Sequence, residues 1–304
     1  MDDRAGLLVE TKTITTREPL HRELSPRSFS PVTWLNLVCL DAPLVAVTWQ
    51  WCLAQNFHLA LAASARIALF FTAWLVYLAD RIADTFSLRT NDPKSLRQQF
   101  CQHHRRKCIV LLAVIVFLDS GVILRLDRST LVLGIIFGML LLGYLATNYW
   151  LGRTWRLLPV KEICVGFLFA LGTIAALLPK IQDWNGFLGT FVLFATLCSL
   201  NCICIAAWER HLDEAQRKNS IATRWLWLGR YVKPVLLVFT FLCASIALST
   251  SHAVAATACI GASALLLAAL DLLRGVISTD ERTALADLVL LTPLAPALLL
   301  RLVS

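Results

Sequence analysis

From residue 33 onward, the chain consists of long apolar runs separated by short polar or charged stretches. Each run holds roughly 20 residues, the length that a helix needs to cross the hydrocarbon core of a bilayer. Only the polar stretch 249–252 separates the seventh run from the eighth, so eight helices is the alternative to nine. The pattern predicts nine transmembrane helices, at about 33–55, 59–79, 108–125, 130–151, 159–179, 186–208, 232–251, 253–273 and 284–303.

The composition excludes an ordinary soluble domain. Of the 304 residues, 58% are hydrophobic and 16% are charged, and the mean hydropathy is +0.67, whereas soluble domains are less apolar and more charged. Residues 1–32 are charged and contain no apolar run, so we expect a disordered, basic cytoplasmic tail and no cleaved signal peptide. Residues 33–304 are then a single transmembrane domain of the all-α class. Because most of the ten cysteines lie inside apolar runs, we expect no disulfide framework.

The distribution of Lys and Arg predicts the orientation in the membrane, because short cytoplasmic loops retain positive charge. With a cytoplasmic N-terminus, 22 of the 28 Lys and Arg residues lie on the cytoplasmic side and four on the opposite side. We therefore expect an integral, multi-pass protein with its N-terminus in the cytoplasm, located in the inner membrane of a bacterial cell. This asymmetry accounts for most of the net charge of +8, so the lipid bilayer is an expected partner and nucleic acid is not.

Two pairs of acidic residues stand at the ends of apolar runs, where a charge is costly unless it has a partner or a function. Asp80 and Asp84 end the second run, and Glu209 and Asp213 end the sixth. A spacing of four places both carboxylates of a pair on one helical face. If the two helix ends are neighbours, four carboxylates converge, and Mg²⁺ would offset their repulsion while bridging them to phosphate groups. The alternative is that each pair is solvated, or bonded to the arginine that follows its first acid.

These residues resemble the UbiA superfamily of intramembrane prenyltransferases, over roughly residues 33–303. That family has nine transmembrane helices, an Asn-x-x-x-Asp-x-x-x-Asp motif after the second helix and an Asp-x-x-x-Asp motif after the sixth. Both acidic pairs of this chain match the family in position. The two motifs read Val76-x-x-x-Asp80-x-x-x-Asp84 and Glu209-x-x-x-Asp213.

Two shorter segments add to the resemblance. Leu40-Asp-Ala-Pro43 is similar to the Leu-Asp-Lys-Pro segment at the start of the family's first helix. Arg217-Lys-Asn-Ser-Ile-Ala-Thr223 is similar to the basic segment, followed by Ser and Thr, that comes after the second motif. The chain departs from the family at Val76, which replaces the Asn and cannot coordinate a metal, and at Glu209, which is one methylene longer than Asp.

The resemblance implies a bundle of about nine helices with a cavity that faces the cytoplasm. It implies transfer of a prenyl group from a polyprenyl diphosphate to an aromatic or other lipophilic acceptor, with Mg²⁺ as the cofactor. The allylic carbon–oxygen bond ionises, diphosphate leaves, and the acceptor attacks the carbocation. The residues that the resemblance assigns to metal binding and catalysis are Asp80, Asp84, Glu209 and Asp213, and those that it assigns to the diphosphate are Arg89, Arg217 and Lys218.

Three further polar residues are candidates for the wall of this cavity. Asp41 lies within the first predicted helix, where an ionisable side chain is a functional candidate; the alternative is a local turn before the nearby proline. Asn201 lies two turns before Glu209 and either lines the cavity or bonds to a neighbouring helix. Lys161 either points towards the cavity or forms an ion pair with Glu162.

Two other classes of protein compete with the enzyme hypothesis. A secondary transporter also places carboxylates within helices, but it favours broken helices and acids near the bilayer midplane. A noncatalytic lipid-binding paralogue would keep the fold and lose motif residues, and Val76 is such a loss. The identity of the acceptor, the length of the donor and the oligomeric state stay open at this stage.

Overall fold

The computed structural model describes residues 30–89, 92–150, 161–250 and 253–296, with the backbone alone at 147–150. All regular secondary structure in these ranges is helical, which confirms the all-α class. Most of the predicted tail, 1–32, lies outside the described residues. The α-helices are α1 (Pro31–Leu37), α2 (Asp41–Asn56), α3 (Ala63–Ser87), α4 (Leu96–His103), α5 (Arg105–Ile123), α6 (Arg128–Trp150), α7 (Lys161–Ile174), α8 (Trp184–Trp208), α9 (Arg210–Ala215), α10 (Ile221–Arg224), α11 (Leu228–Ser249), α12 (Val254–Leu272) and α13 (Thr279–Leu288).

Five helical segments among the described residues are long and apolar enough to cross a membrane. A sixth crossing is reached only if α1 and α2, which are bent by 94° relative to each other, are counted as one broken span. These helices agree with a multi-pass membrane protein. The five segments are Ala63–Ser87, Arg128–Ala146, Trp184–Trp208, Leu228–Ser249 and Val254–Gly275.

The predicted number of nine spans is not confirmed. The helix predicted at 108–125 corresponds to α5, which has three cations in its first turn and a further charge at Asp119. The helix predicted at 159–179 corresponds to α7, which has 14 residues and is shorter than a bilayer crossing requires. The helix predicted at 284–303 corresponds to α13 and the segment after it, of which residues 297–303 lie outside the described part of the chain.

The first predicted span is interrupted between α1 and α2. Cys39 has a left-handed φ of 61°, and α2 begins two residues later at Asp41. Trp74 on α3 donates its indole N–H to the backbone oxygen of Val38 at 2.9 Å. This bond satisfies a carbonyl that lost its helical partner at the break, because a buried backbone oxygen needs a donor. The interruption places the start of α2 in the interior of the bundle.

The two ends of the bundle are distinct. The end at which α3 and α8 finish, and at which α7 and α13 begin, carries both acidic pairs and is called the site end below. At the opposite end, Lys180 donates from Nζ to the backbone oxygen of Ala60 at 2.7 Å. There the backbone N–H of Ala256 also donates to Oδ1 of Asn56 at 3.2 Å. The first bond joins the segments that precede α8 and α3, and the second joins the end of α2 to the first turn of α12.

The main apolar core lies between α2, α7, α8, α11 and α12. Trp49 is fully buried there, with its ring centroid 4.7 Å from that of Phe194. Helices α7 and α8 approach closely at Gly166, where an added Cβ would lie 2.4 Å from the backbone nitrogen of Ser199. A glycine at such a contact lets two membrane helices pack backbone to backbone. This packing places the start of α7 beside the end of α8.

Candidate functional site

The first acidic pair lies on the last two turns of α3. The helix is continuous to Ser87, so Asp80 and Asp84 lie one turn apart on it, as their spacing predicts. Asp80 is exposed, and the charges that act on it include those of Asp84 and Lys161. The side chain of Asp84 is 40% exposed and forms an ion pair with Lys218, whose Nζ lies 2.9 Å from Oδ2. Half-buried Val76, one turn before Asp80, adds no polar ligand.

The second acidic pair spans a break between two helices. α8 ends at Trp208, Glu209 caps it, and α9 carries Asp213. The backbone N–H of Asp213 donates to the backbone oxygen of Glu209 at 2.9 Å, so the pair keeps a helical separation. Glu209 is buried, forms an ion pair with Arg97 on α4, and accepts a hydrogen bond from Thr283 Oγ1 at 3.4 Å. Its charge is therefore compensated inside the protein.

Asp213 is a weaker acid than an exposed aspartate. Burial raises its pKa to about 6, a hydrogen bond with Ser220 opposes this rise, and the charge of Glu209 adds to it. Desolvation and a neighbouring carboxylate both disfavour the ionised form. A cation that binds beside Asp213 would favour its ionised form and would displace a proton at pH values near or below 6.

The end of α9 turns the basic segment back towards α3. The backbone N–H of Lys218 donates to the oxygen of Asp213 at 2.8 Å, and that of Arg217 to the oxygen of Glu214 at 3.1 Å. These two bonds form a Schellman motif, in which the residue after the cap is left-handed. Arg217 has a φ of 57°, a conformation that glycine adopts more easily. The motif directs Lys218 to Asp84, while Arg217 is exposed.

Lys161 and Glu162 begin α7 between the two acidic segments. Lys161 is exposed, and its charge acts on Asp80, Asp84 and Asp213. Glu162 is buried, and its Oε1 accepts from the backbone N–H of Ile221, the first residue of α10, at 3.2 Å. Among the described residues, Glu162 bonds to α10 and forms no ion pair with Lys161, whose charge acts on the acidic residues.

The two acidic segments come together, which is the condition for the hypothesised site, but they do not form one cluster of carboxylates. Among the described residues, no three His, Cys, Asp or Glu side chains are placed to hold one metal ion. Lys218 compensates Asp84 and Arg97 compensates Glu209, so two of the four carboxylates already have cationic partners. Mg²⁺ is commonly held by one or two carboxylates, with water and phosphate completing its shell. This donor set fits such an ion and does not fit one ion shared by all four acids.

The remaining predicted residues form their hydrogen bonds with groups outside the two acidic pairs. Arg89 lies in the exposed segment after α3, where its backbone N–H donates to Asp92 at 2.9 Å. Asp41 is fully buried and accepts from Asn36 Nδ2 at 2.6 Å and from the backbone N–H of Ala42 at 3.0 Å. It therefore presents no exposed surface to a cavity, and it has the hydrogen-bond donors that a buried carboxylate requires.

Asn201 is buried as well, and the expected bond to a neighbouring helix is the arrangement formed. Its Nδ2 donates to Asp287 Oδ1 on α13 at 2.8 Å. The Tyr77 hydroxyl on α3 lies 3.5 Å from Asp287 Oδ2, and Arg81 donates to the oxygen of Tyr77. This buried network lies under the acidic pairs and joins α3, α8 and α13.

Four residues that hold the site together were not among the predicted site residues: Arg97, Asp280, Thr283 and Asp287. The sequence does contain a signal for Asp280, Thr283 and Asp287: they are spaced by three and four residues, and polar residues at such spacings share one face of a helix. Arg97 had no comparable signal, since its partner lies 112 residues away in the chain.

Comparisons with protein-family models, with curated proteins and with solved structures give no match to this chain.

Proposed function

We propose that this chain is an intramembrane prenyltransferase, a divergent member of the UbiA superfamily. It transfers a prenyl group from a polyprenyl diphosphate to an aromatic or other lipophilic acceptor, with Mg²⁺ as its cofactor. The observation that carries the proposal is the contact between Lys218 and Asp84, 2.9 Å long, which brings the two acidic segments together at one end of an apolar bundle. Carboxylates interspersed with cationic side chains suit a diphosphate bound together with a metal ion.

The residues of the site have separate tasks in this proposal. Asp80 and Asp213 would hold the ion, with Asp84 and Glu209 beside them, and Mg²⁺ would supply positive charge next to the leaving group. Lys161, Lys218 and Arg217 bind diphosphate oxygens; Arg89 lies outside this set because it contacts neither acidic pair among the described residues.

The reaction itself needs little covalent chemistry from the protein. The carbon–oxygen bond of the allylic diphosphate breaks, and its electron pair leaves with the diphosphate. A nucleophilic atom of the acceptor forms the new bond to the same carbon, and the proton of the acceptor is lost to solvent or a base. The cationic side chains stabilise the charge that develops on the leaving group. The apolar helices exclude water, which would otherwise capture the carbocation.

The proposal includes a nine-helix arrangement with its cavity and N-terminus on the cytoplasmic side of a bacterial inner membrane. It is supported by the distribution of Lys and Arg and by the position of both acidic pairs at the site end. The elements at that end, α4, α9 and α10, are short and polar, as expected for segments outside the hydrocarbon core.

The test is transfer of a labelled prenyl group by the purified protein in lipid nanodiscs. Short and long prenyl diphosphates are combined with aromatic acceptors, with Mg²⁺ or with a chelator. We expect product only with Mg²⁺, and loss of product in Asp80→Asn and Asp213→Asn, which keep the size of each side chain. Absence of both transfer and Mg²⁺-dependent diphosphate binding in the wild type would reject the proposal. Binding without transfer would favour the noncatalytic lipid-binding alternative, which Val76 supports.

A secondary transporter is the second candidate, because the break between α1 and α2 places fully buried Asp41 at an interrupted helix. Interrupted helices with buried charges form the ion and substrate sites of many transporters. The measurement is uptake of Mg²⁺ or of a prenyl diphosphate into proteoliposomes. Uptake that Asp41→Asn abolishes, together with no prenyl transfer, would favour the transporter.

A further inference from the structure

One face of α13 is polar and is turned towards the interior of the site end. Asp280, Thr283 and Asp287 are spaced by three and four residues, so they lie along one side of the helix. Thr283 is buried, and all three side chains bond to other elements. A helix that packs only through apolar contacts would present apolar residues on this face. Each buried polar group of α13 requires a hydrogen-bond partner instead.

The partners of this face are the elements that carry the two acidic segments. Asp280 Oδ1 accepts from the backbone N–H of Leu96 at 3.1 Å, which anchors α4 next to Arg97. Thr283 Oγ1 donates to Oε1 of Glu209 at 3.4 Å, while Arg97 binds the other oxygen of that carboxylate. The second acidic segment is thus held from two sides, by α4 and by α13.

The first acidic segment is held by the next turn of the same face. Asp287 accepts from Asn201 on α8 at 2.8 Å, and the Tyr77 hydroxyl on α3 lies 3.5 Å from its other oxygen. Tyr77 precedes Asp80 by three residues, so this contact lies on the turn of α3 from which Asp80 projects. One turn further along, the backbone oxygen of Leu290 accepts from the indole of Trp49 on α2 at 2.8 Å.

We propose that the polar face of α13 sets the distance between the two acidic segments, with Thr283 and Asp287 as positioning residues of the diphosphate site. The physical reason is that apolar contacts tolerate sliding and rotation, whereas buried hydrogen bonds are directional and costly to leave unmade. α13 is the one described helix that bonds through side chains both to Glu209 and to the helix of the first pair. The role in diphosphate binding rests on the proposed function, whereas the role in spacing does not.

The direct test is a zero-length carbodiimide cross-link between Asp84 and Lys218, measured by mass spectrometry without substrate or Mg²⁺. Thr283→Val keeps the shape and removes the hydroxyl. We expect it to lower the yield about threefold to tenfold, the shift that loss of one hydrogen bond produces in an equilibrium. Thr283→Ser restores the hydroxyl and should restore the yield. Asp287→Ala should lower it as well.

The matched control is Thr292→Val, which removes hydroxyl bonds to the backbone oxygen of Cys259 and to Ser263 on α12, away from the acidic segments. We expect its yield to equal that of the wild type. If Thr283→Val also leaves the yield unchanged, or if Thr292→Val lowers it equally, the positioning role is rejected. Should Asp287→Ala fail to fold, Thr283→Val and Thr283→Ser still decide the question.

A kinetic measurement then separates positioning from general stability. In Thr283→Val we expect KM for the prenyl diphosphate to rise about threefold or more, with KM for the acceptor unchanged. A fall in kcat alone, with both KM values unchanged, would contradict positioning of the diphosphate. If no prenyl transfer is found at all, the cross-link still tests the role in spacing, so the two proposals fail independently.

Discussion

Lys218 Nζ lies 2.9 Å from Asp84 Oδ2, across 134 residues of sequence. The two side chains are 27% and 40% exposed, so water screens their attraction and the pair adds little to stability. The two side chains can give up this contact at low cost. A diphosphate with its metal ion can then bind Lys218 through a negative charge and Asp84 through a positive one. This property distinguishes it from the buried pair of Arg97 with Glu209, which holds the second acidic segment in place.

Replacing Lys218 by Met should therefore separate binding from stability. We expect a loss of less than about 1 kcal/mol in the free energy of unfolding, because the pair is exposed. Diphosphate affinity, measured by titration calorimetry with inorganic diphosphate and Mg²⁺, should fall at least about tenfold. Arg210→Met is the control, because it also breaks an exposed ion pair, with Glu214, away from Asp84. Equal effects of the two substitutions on affinity would contradict a specific role of Lys218.

Replacing Arg217 by Gly should stabilise the protein slightly. The φ of 57° strains a residue that has a Cβ by about 1 kcal/mol, and glycine removes this strain. Part of the gain is lost because glycine makes the unfolded chain more flexible. Thermal unfolding measures the change, with Arg217→Ala as the control that removes the charge and keeps the strain. Both variants should bind diphosphate more weakly than the wild type. A lower melting temperature for the glycine variant than for the alanine variant would show that the turn is not strained.

Replacing Gly166 by Ala should destabilise the packing of α7 on α8. The new Cβ would lie within 2.4–2.6 Å of three backbone atoms at positions 198 and 199, so the two helices must move apart. Overpacking of this kind costs about 1–3 kcal/mol. Gly172→Ala, on the same helix, meets no atom within 4 Å and should be neutral or stabilising. Unfolding of both variants in detergent provides the comparison, and equal stabilities would contradict the close contact.

Replacing Asp213 by Asn should change how stability depends on pH. The pKa of Asp213 is raised to about 6 in the folded protein, from 3.8, so the folded state binds more protons than the unfolded state between these values. Wild-type stability therefore falls, through this group, as pH rises from about 4 to 6. Relative to the wild type, the variant should gain stability over that window, by at most about 3 kcal/mol. The measurement is unfolding at a series of pH values without Mg²⁺; a constant difference would contradict the raised pKa.

Several features of the site could be predicted from local sequence. The apolar runs predict helices, because each run has the length and composition that a bilayer crossing demands. The spacing of Asp80 and Asp84 places both on one helix, and the structure agrees. The two segments also meet, as the metal-site hypothesis requires, since an ion pair joins α3 to the segment after α9. The helices and the spacing of Asp80 and Asp84 share a cause: hydropathy and helical periodicity act within a few turns of the chain, whereas the convergence of the two segments depends on packing.

Other features required the tertiary structure. The break at Cys39 depends on Trp74, which supplies a hydrogen-bond donor from another helix. The burial of Asp41 and Asn201 depends on neighbours that no local pattern names, and the partners of Asp84 and Glu209 lie more than 100 residues away. The spacing of Asp280, Thr283 and Asp287 marks a polar face, but what that face binds is decided by packing.

The sequence alone determined that this protein is helical and apolar and that two acidic pairs stand at helix ends, because composition and periodicity are local properties. The tertiary structure decided which charges compensate which carboxylates, and that α13 joins both acidic segments. The physical reason is that ion pairs and buried hydrogen bonds form between groups distant in sequence, and only the packed bundle brings them within reach.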